Sequence, residues 1–380
     1  MHVAFVTPEY PINSFKGAVG GIGTFTRSLA ERLVKCEIQV TVFIHSQSEQ
    51  KDIVINSVHI YFVKKKSFKG ITWFTNRLHF NRYVNKIILA EKINVIEAPE
   101  WTGFTAFMKF KCSFLIRLHG SDTYFCKLEN RNVKFKNRFF ESKALKGADK
   151  LIGVSKFVSN QTELLFNLKS EINVIYNTVD TKVFKPNHEE IKPKSLLYFG
   201  TIVRKKGVLE IAQMFNKLVK LDSEVTLILL GADNLDVLTG KSTLKLIKEI
   251  LSEEALKRMR SISAIPHHCV IEYVQKSDLI LLPSFAEAFP MTWLEAMSLE
   301  KKIVASDIGW SKELMVDGVT GYTINPINTN LFVSKVMELL QNPIKASQMG
   351  RSARERIINE FDMTEVISQN IKLYKSIIKC

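Results

Sequence analysis

The chain has 380 residues, a formal net charge of +15 at pH 7, and a composition that is 46% hydrophobic and 24% charged. This composition is typical of a globular protein, and the length predicts two domains of roughly 150–200 residues. No apolar run reaches the ~18–20 residues of a membrane-spanning helix, and the opening segment MHVAFVTPEY does not resemble a signal peptide. The five cysteines are widely spaced and form no CxxC pair, which argues against a disulfide framework or a zinc site and predicts a cytoplasmic protein.

The positive charge is concentrated in the first half of the chain. Residues 1–180 hold 26 lysines and arginines against 15 acidic residues, whereas residues 181–380 hold 27 against 23. A basic excess of this kind fits nucleic acid, anionic lipid or a phosphorylated substrate. A generally Lys-, Ile- and Asn-rich composition is the simpler alternative, and the sequence leaves both open.

Short apolar runs alternate with amphipathic stretches along the whole chain. Strands are predicted at 2–6, 38–44, 58–62, 95–98, 114–118, 150–154, 173–175, 195–199, 226–230, 279–282 and 302–305. Helices are predicted at 23–34, 76–92, 135–145, 159–165, 207–221, 244–251, 290–298 and 331–341. This alternation, with strands that are apolar throughout, predicts an α/β protein whose parallel sheets are covered on both faces.

A polar segment without periodicity divides the two series of strands. It contains KPNHEEIKPK, and a buried strand is predicted directly after it. We therefore predict a first doubly wound domain at 1–182, a linker at 183–194, and a second doubly wound domain at 195–362. The remaining residues, 363–380, form a basic amphipathic helix that we expect to pack back on the first domain.

The first candidate site is the glycine-rich loop within GAVGGIGTFTRSLAERL, residues 17–33. Gly17, Gly20, Gly21 and Gly23 precede an amphipathic helix, and glycines let a backbone approach a ligand closely. The spacing is not that of a dinucleotide fingerprint, so a mobile surface loop is an equal alternative.

The second candidate is FLIRLHGSDTY, residues 114–124. His119 and Gly120 follow a buried strand at its carboxyl end, where ligands of open α/β sheets bind. Asp122 is a secondary candidate, as an acceptor contact. A lone histidine in such a position is more often an ordinary polar residue.

The third candidate is YFGTIVRKKGVLEIA, residues 198–212. Arg204, Lys205 and Lys206 lie in the loop between a strand and a helix that Gly207 opens. Such cations can clamp a diphosphate, although solvated loop cations explain a bare basic triplet equally well.

The fourth candidate is PSFAEAFPMTWLEAM, residues 283–297. Pro290 is suited to the first position of a helix, and the amides that follow it point out of a helix N-terminus that favours a phosphate. Glu287 lies in the loop and Glu295 inside the helix, so they suit two separate hydroxyl clusters better than one acid/base pair. Isolated glutamates would more often be solvated surface residues.

Residues 283–324 resemble the signature of retaining glycosyltransferase family 4, in which two glutamates separated by seven residues precede a helix, a strand and a glycine-rich return. The resemblance extends over essentially the whole chain. It implies the GT-B fold, with two Rossmann-like domains facing across a cleft. It also implies that Glu287 contacts the hydroxyls of the donor sugar and Glu295 those of the ribose. The backbone between them, at Phe289, Met291 and Thr292, would bind the diphosphate.

The other motifs fall in the order that this family shows. Lys206 matches the family lysine at the diphosphate, while Thr201 stands where an arginine is usual, and Arg204 is our candidate to replace it. His119 matches a histidine that reaches the donor sugar. The loop with Gly21 and Gly23 matches one that lies over the donor phosphates and the acceptor.

Two further segments have weaker assignments. The stretch 174–186 matches a family region that we interpret as structural. The stretch 261–270 falls near the expected place of the base, but we assign it no contact. Its adjacent histidines, His267 and His268, are a poor metal site because neighbouring residues rarely share one metal ion and a third ligand is missing.

These features predict a retaining, metal-independent glycosyltransferase. It would move a hexose-type sugar from a nucleoside diphosphate sugar to a hydroxyl of a glycan or a lipid-linked saccharide, in cell-surface polysaccharide biosynthesis. The expected catalytic residues are His119, Glu287 and Lys206. No cofactor and no nucleic-acid partner are expected, and the basic first domain is predicted to contact the inner face of the membrane.

Two other functions remain as alternatives. A sugar-nucleotide epimerase of the same architecture would show a different pattern of carboxylates and histidines. A non-catalytic basic protein that binds membrane or nucleic acid would explain the charge but not the four motifs.

Overall fold

The computed structural model describes residues 1–12, 14–15, 20–169, 171–187 and 191–378. The chain forms two compact units: the first comprises Met1–Asn177 and Thr364–Cys380, and the second comprises Thr178–Met363. This division falls after Asn177, before the predicted linker, and a strand begins inside that linker at Lys192. Gly17 and linker residues 188–190 lie outside the described residues.

The first unit is built around a mostly parallel sheet with the strand order β3-β4-β2-β1-β5-β6-β7-β8. Its strands are β1 (His2–Thr7), β2 (Gln39–Gln47), β3 (Lys51–Ile55), β4 (Val58–Lys64), β5 (Val95–Pro99), β6 (Ser113–Leu118), β7 (Lys150–Gly153) and β8 (Asn173–Val174). Its helices up to residue 177 are α1 (Gly21–Lys35), α2 (Thr72–Glu91), α3 (Asp122–Leu128), α4 (Phe135–Gly147) and α5 (Lys156–Phe166).

The second unit is built around a parallel sheet with the order β11-β10-β9-β12-β13-β14. Its strands are β9 (Lys192–Phe199), β10 (Thr226–Leu230), β11 (Met259–Ile262), β12 (Ser277–Leu282), β13 (Lys302–Ser306) and β14 (Tyr322–Ile324). Its helices are α6 (Val208–Leu221), α7 (Thr243–Ile250), α8 (Glu253–Arg258), α9 (His267–Lys276), α10 (Met291–Ser298), α11 (Ser311–Leu314), α12 (Thr329–Gln341) and α13 (Pro343–Glu360).

Helix α14 (Met363–Ile377) is the last element in the described part of the chain. Its Ile367 and Tyr374 belong to the hydrophobic core of the first unit, together with residues of β1, β2 and α1. A second core lies in the second unit between α6, α12 and the sheet. The near-continuous apolar runs form central strands because both faces of each sheet are covered.

The predicted fold class is confirmed, with two α/β units and parallel sheets. The sequence pattern missed the antiparallel strand β3, whose residues alternate between half-buried and exposed because it is an edge strand. It also missed α9, α13 and several shorter elements. The prediction that Pro290 is the first helical residue is wrong by one position, since its extended ψ of 122° makes it the N-cap of α10.

Among the described residues, no helix combines the length and apolar character that crossing a bilayer requires.

Candidate functional site

The predicted donor residues of the second unit lie beyond the carboxyl ends of β9 and β12. These strands are neighbours, and the strand order changes direction between them, since β10 lies on the other side of β9. Open α/β sheets bind ligands in the crevice at such a switch point. The loop after β9 covers residues 200–207, and the loop after β12 covers residues 283–290.

The two loops are joined directly. The backbone N–H of Phe285 donates a hydrogen bond of 2.8 Å to the carbonyl oxygen of Lys205. Gly207, at φ 72°, packs so closely that a Cβ atom there would lie 2.0 Å from the carbonyl oxygen of Pro283. Only glycine fits this conformation and this approach, so Gly207 fixes the loop that carries the cations against the loop that carries Glu287.

Glu287 and Lys206 form an ion pair between the two loops, from the Lys206 ammonium to Glu287 Oε1. The Glu287 carboxylate is largely buried and the Lys206 side chain is partly exposed. Behind them lies the buried Tyr198, whose hydroxyl donates to the carbonyl oxygen of Thr201 at 2.7 Å. Burial, with the nearby charge of Glu287, raises the pKa of Tyr198 far above its usual value. The phenol is therefore a fixed neutral donor.

Glu295 lies in α10 and is also buried, and its Oε1 atom is 2.9 Å from Nε2 of His267. His267 is the first residue of α9, and its side chain is about half exposed. The hydrogen bond to Glu295 raises the pKa of His267 above its ordinary value, against the lowering effect of desolvation. The sequence assigned no contact to this histidine. In the structure it is hydrogen-bonded to Glu295, which the resemblance predicts to contact the ribose.

Arg204 is held by a bidentate ion pair. Its Nε and Nη2 atoms donate to the two carboxylate oxygens of Asp236 at 2.6 and 3.0 Å. Asp236 also accepts from the backbone and hydroxyl of Thr239, and its hydrogen bonds, that from Arg204 first, lower its pKa to about 2. The structure therefore directs the guanidinium of Arg204 to a loop carboxylate, although its side chain is a third exposed.

The N-terminus of α10 faces the first loop. A Cβ atom on Gly200 would lie 3.9 Å from Cγ2 of Thr292, in the first turn of α10. Pro290 caps the helix without a side-chain hydrogen bond to its first amides. The first N–H groups of a helix have no partner within it, so this end favours an anion. Phe289 is buried, and Met291 and Thr292 are half-buried.

In the first unit, His119 lies at the end of β6 and its ring meets that of Phe25 edge-on, with centroids 4.8 Å apart. Burial, with the nearby positive charge of Arg117, lowers the pKa of His119 to about 3. Its backbone N–H donates to Oε2 of Glu100 at 2.9 Å. Glu100 is fully buried, and desolvation raises its pKa to about 8. At neutral pH both His119 and most of Glu100 are therefore uncharged.

The described part of the glycine-rich loop leads into α1, which contains Phe25. The backbone N–H of Gly23 donates to Oε1 of Glu9 at 2.8 Å. A Cβ atom on Gly23 would lie 2.9 Å from the Glu9 side chain, whereas one on Gly21 would meet nothing within 4 Å. Glycine is therefore required by packing at Gly23 but not at Gly21, and Glu9 occupies the anion-favouring end of α1.

Asp122 is the first residue of α3. Its backbone N–H donates to the buried Glu141, and its Oδ2 atom accepts from Asn137 at 2.9 Å. These contacts are structural ones within the first unit.

The structure thus places the Lys206–Glu287 ion pair and the first turn of α10, which contains Thr292, at one switch point. In the first unit it places the ring of His119 against Phe25, which lies two residues after Gly23 in α1. The sequence did not indicate the partners His267, Asp236 and Glu9. Pro266 before an amphipathic run is the signal that could have located the start of α9. No cluster of metal-ligating side chains occurs among the residues described.

Comparisons with known protein families match most of the chain in two parts. Residues 19–183 match Glycosyltransferase Family 4, and residues 179–356 match Glycosyl transferases group 1. An uncharacterised glycosyltransferase of Methanocaldococcus jannaschii is 26% identical over 344 residues, which is 89% of each chain.

Two solved structures share the fold. Sucrose-phosphate synthase from Thermosynechococcus elongatus superposes with a TM-score of 0.80 at 17% identity, over 99% of this chain and 98% of that one. Anabaena HepE, solved in complex with UDP-glucose, superposes with a TM-score of 0.76 at 17% identity, over 99% of this chain and all of that one.

Proposed function

This chain belongs to glycosyltransferase family 4, and we propose that it transfers a hexose-type sugar from a nucleoside diphosphate sugar to a hydroxyl group of a saccharide acceptor. Its family makes it a retaining enzyme with the GT-B fold and a nucleotide-sugar donor. UDP-glucose, with which HepE was solved in complex, is the first candidate donor for this chain.

One observation carries this proposal: two buried glutamates, Glu287 and Glu295, flank the N-terminus of α10, and each is paired with a basic side chain. In a nucleoside diphosphate sugar, the diphosphate separates the sugar from the ribose. The groups along the loop and helix follow the order of these three parts: the Glu287 carboxylate for the sugar, the backbone amides for the diphosphate, and the Glu295 carboxylate for the ribose. A carboxylate binds vicinal hydroxyls, and the amides bind phosphate oxygens.

Lys206 is the proposed cation for the diphosphate. Its pairing with Glu287 supports this role, because the sugar is bonded directly to the phosphate and their binding groups must be neighbours. In the reaction, negative charge develops on the leaving diphosphate, and the Lys206 ammonium and the amides of Met291 and Thr292 would stabilise it. Arg204 would join them only by giving up part of its pairing with Asp236.

His119 is proposed to reach the donor sugar, and the loop with Gly21 and Gly23 is proposed to lie over the donor phosphates and the acceptor. Because the pKa of His119 is about 3, its imidazole is neutral at physiological pH and acts as a hydrogen-bonding group, not as an acid. Retention would follow from attack on the face that the diphosphate leaves, with the phosphate assisting removal of the acceptor proton. Asp122 remains a proposed acceptor contact.

The proposed acceptor is a glycan or a lipid-linked saccharide of cell-surface polysaccharide synthesis, on the cytoplasmic side of the membrane. The basic charge of the first half of the chain supports an anionic or membrane-borne acceptor.

A donor panel tests the proposed function. The protein is mixed with UDP-, GDP- and ADP-sugars, and thermal stability and donor turnover are measured with and without saccharide acceptors. We expect one nucleotide class to raise Tm by a few degrees, because ligand at ~100 times its Kd adds about 2.7 kcal/mol. Turnover should require an acceptor or water and release the nucleoside diphosphate. Absence of binding and turnover for every donor would contradict the proposal, and an epimerised product with the nucleotide intact would favour the epimerase.

A further inference from the structure

The first unit carries a cluster of exposed aromatic and aliphatic side chains, which we call the aromatic patch. Its members come from three separate segments of the chain and are Phe68, Ile71, Trp73, Phe74, Phe107, Phe135 and Phe139. Phe135 is the most exposed at 83%, followed by Phe68 at 63% and Phe107 at 60%. Exposed rings of this number are unusual on a soluble surface and mark an interaction site.

Ring contacts join five members of the patch, and a backbone hydrogen bond from Ile71 to Phe68 links the other two. Phe107 lies 6.0 Å from Phe139, and Phe139 lies 6.2 Å from Phe135, between ring centroids. The buried Phe140 connects this group to α2, because its ring lies 6.2 Å from Phe107 and 5.3 Å from Trp73. The segments 64–74 and 127–150, both rich in cations and aromatics, therefore meet on one surface.

The backbone of Phe107 supports a functional role for the patch. Its φ of 64° is a left-handed conformation that costs energy for a bulky side chain. This conformation is not compensated by burial of the ring. Strained residues of this kind persist where the protein has a use for them.

Exposed cations flank the patch residues in sequence, and the acidic residue nearest to them in sequence, Glu141, is buried. Residues 53–90, 101–121 and 130–140 contain 14 lysines and arginines and no Asp or Glu. The exposed cations nearest to the patch in sequence are Lys64, Lys65, Lys66, Lys69, Lys109, Lys134, Lys136, Arg138 and Lys143. One of them, Lys143, lies over the ring of Phe139 at 5.6 Å.

We propose that the aromatic patch and its cations dock the first unit onto an anionic lipid bilayer. Exposed Phe and Trp side chains enter the interface between headgroups and acyl chains, and the lysines contact anionic headgroups. A second copy of this chain is a poorer partner, because a symmetric contact would bring two such basic surfaces together. Nucleic acid is also a poorer partner, because the aliphatic Ile71 offers no face for a base and one face of the exposed Phe135 ring is already stacked on Phe139.

Co-sedimentation with vesicles tests this docking and requires no donor or acceptor, so its outcome is independent of the proposed transferase activity. The full chain is mixed with vesicles of phosphatidylcholine alone or with added phosphatidylglycerol. We expect binding to the anionic vesicles, weakened by salt, and little binding to the neutral ones.

Two double variants locate the surface. Phe68→Ser with Phe135→Ser should reduce the affinity for anionic vesicles by about tenfold or more, and Lys65→Gln with Lys136→Gln should also weaken it severalfold. The matched controls, Leu164→Ser with Ile344→Ser and Lys220→Gln with Lys245→Gln, change equally exposed residues elsewhere and should bind like the wild type.

Quenching of Trp73 by brominated lipid is a second measurement on the wild-type fold. Trp73 is 39% exposed, whereas Trp293 and Trp310 are fully buried, so quenching lost in Trp73→Phe would place the patch in the bilayer. The proposal is overturned if the chain fails to bind anionic vesicles or if the patch variants bind like the controls. It is also overturned if the patch variants abolish dimerisation or oligonucleotide binding while vesicle binding is unchanged.

Discussion

At the scale of single residues, the carboxylates proposed to hold the donor are already paired. Glu287 is bound by Lys206 and Glu295 by His267. A buried carboxylate without a partner is costly, so these pairings stabilise the site before a donor binds. A bound donor would then replace these partners, with its hydroxyls bonded to the carboxylates and its phosphates to the basic side chain of Lys206.

His267 should make stability depend on pH. Its hydrogen bond to Glu295 raises its folded pKa above 6.5, so the pairing stabilises the protein fully below about pH 6.5 and the effect is lost as the pH rises through the folded pKa. We expect His267→Ala to lower the free energy of unfolding by about 0.5 kcal/mol at about pH 5 and by less at about pH 8, because the side chain is half exposed. Denaturant melts at both pH values measure the difference.

The adjacent His268→Ala is the matched control, because His268 is exposed and it is His267 that is bonded to Glu295. Equal losses at the two pH values for His267→Ala would show that the pair does not carry the effect.

The sequence located the carboxylates and the lysine through their place after buried strands, and the resemblance gave them roles. It could not locate His267 or Asp236 as partners. Those contacts depend on which loop lies opposite, and loops 231–242 and 263–266 have no periodic pattern that would predict their path. Thr201 stands where an arginine is usual, and the guanidinium of Arg204, our candidate to replace it, is paired with Asp236.

At the scale of structural elements, the close contact between the loops after β9 and β12 shapes the site. The apolar runs predicted both strands within a few residues, because central parallel strands are apolar throughout. The neighbour relation of β9 and β12 is a tertiary property, and the strand lengths alone do not reveal it.

Gly207→Ala tests whether this contact between the two loops stabilises the protein. Both Gly207, at φ 72°, and Gly240, at φ 69°, have left-handed backbones, but only Gly207 lies against another loop. Gly240→Ala should cost about 1 kcal/mol for the conformation alone. Gly207→Ala should cost roughly 3 kcal/mol or more, because its Cβ would collide with Pro283. Denaturant unfolding measures both variants, and similar costs would mean that the contact at Pro283 is not required.

At the scale of the whole molecule, helix α14 belongs to the first unit although the second unit precedes it in the sequence. Arg117 in β6 donates to both oxygens of Glu97 in β5, at 2.6 and 3.0 Å. Helix α14 completes this buried network, since Asn370 accepts from Arg117 at 2.6 Å and Tyr374 donates to Glu97 at 2.7 Å. These four polar side chains therefore tie the last helix to the centre of the first sheet.

Glu97→Gln should destabilise the protein by about 3–5 kcal/mol, because it leaves the buried Arg117 guanidinium without its counter-charge. The control Glu31→Gln removes the partly exposed pair with Arg27 and should cost about 0.5 kcal/mol. Thermal or denaturant melts compare them. A cost for Glu97→Gln as small as that of the control would mean that the network contributes little.

The alternation of strands and helices was enough to predict two α/β units. The sequence also indicated a terminal amphipathic helix. The role of its buried Asn370 and Tyr374 is evident only from their hydrogen bonds with Arg117 and Glu97. The meeting of the aromatic segments around Phe140 likewise required the structure, because those segments are about 60 residues apart.

The division of roles between the two glutamates is tested most directly by calorimetric titration of the nucleoside diphosphate into wild type, Glu295→Ala and Glu287→Ala. Loss of hydrogen bonds to a charged group should weaken binding to Glu295→Ala by about tenfold or more. Glu287→Ala should bind the free nucleotide as well as the wild type or better, because Lys206 is released to the phosphates, and should lose sugar transfer. Equal weakening of nucleotide binding in both variants, or none in either, would contradict the proposed donor site.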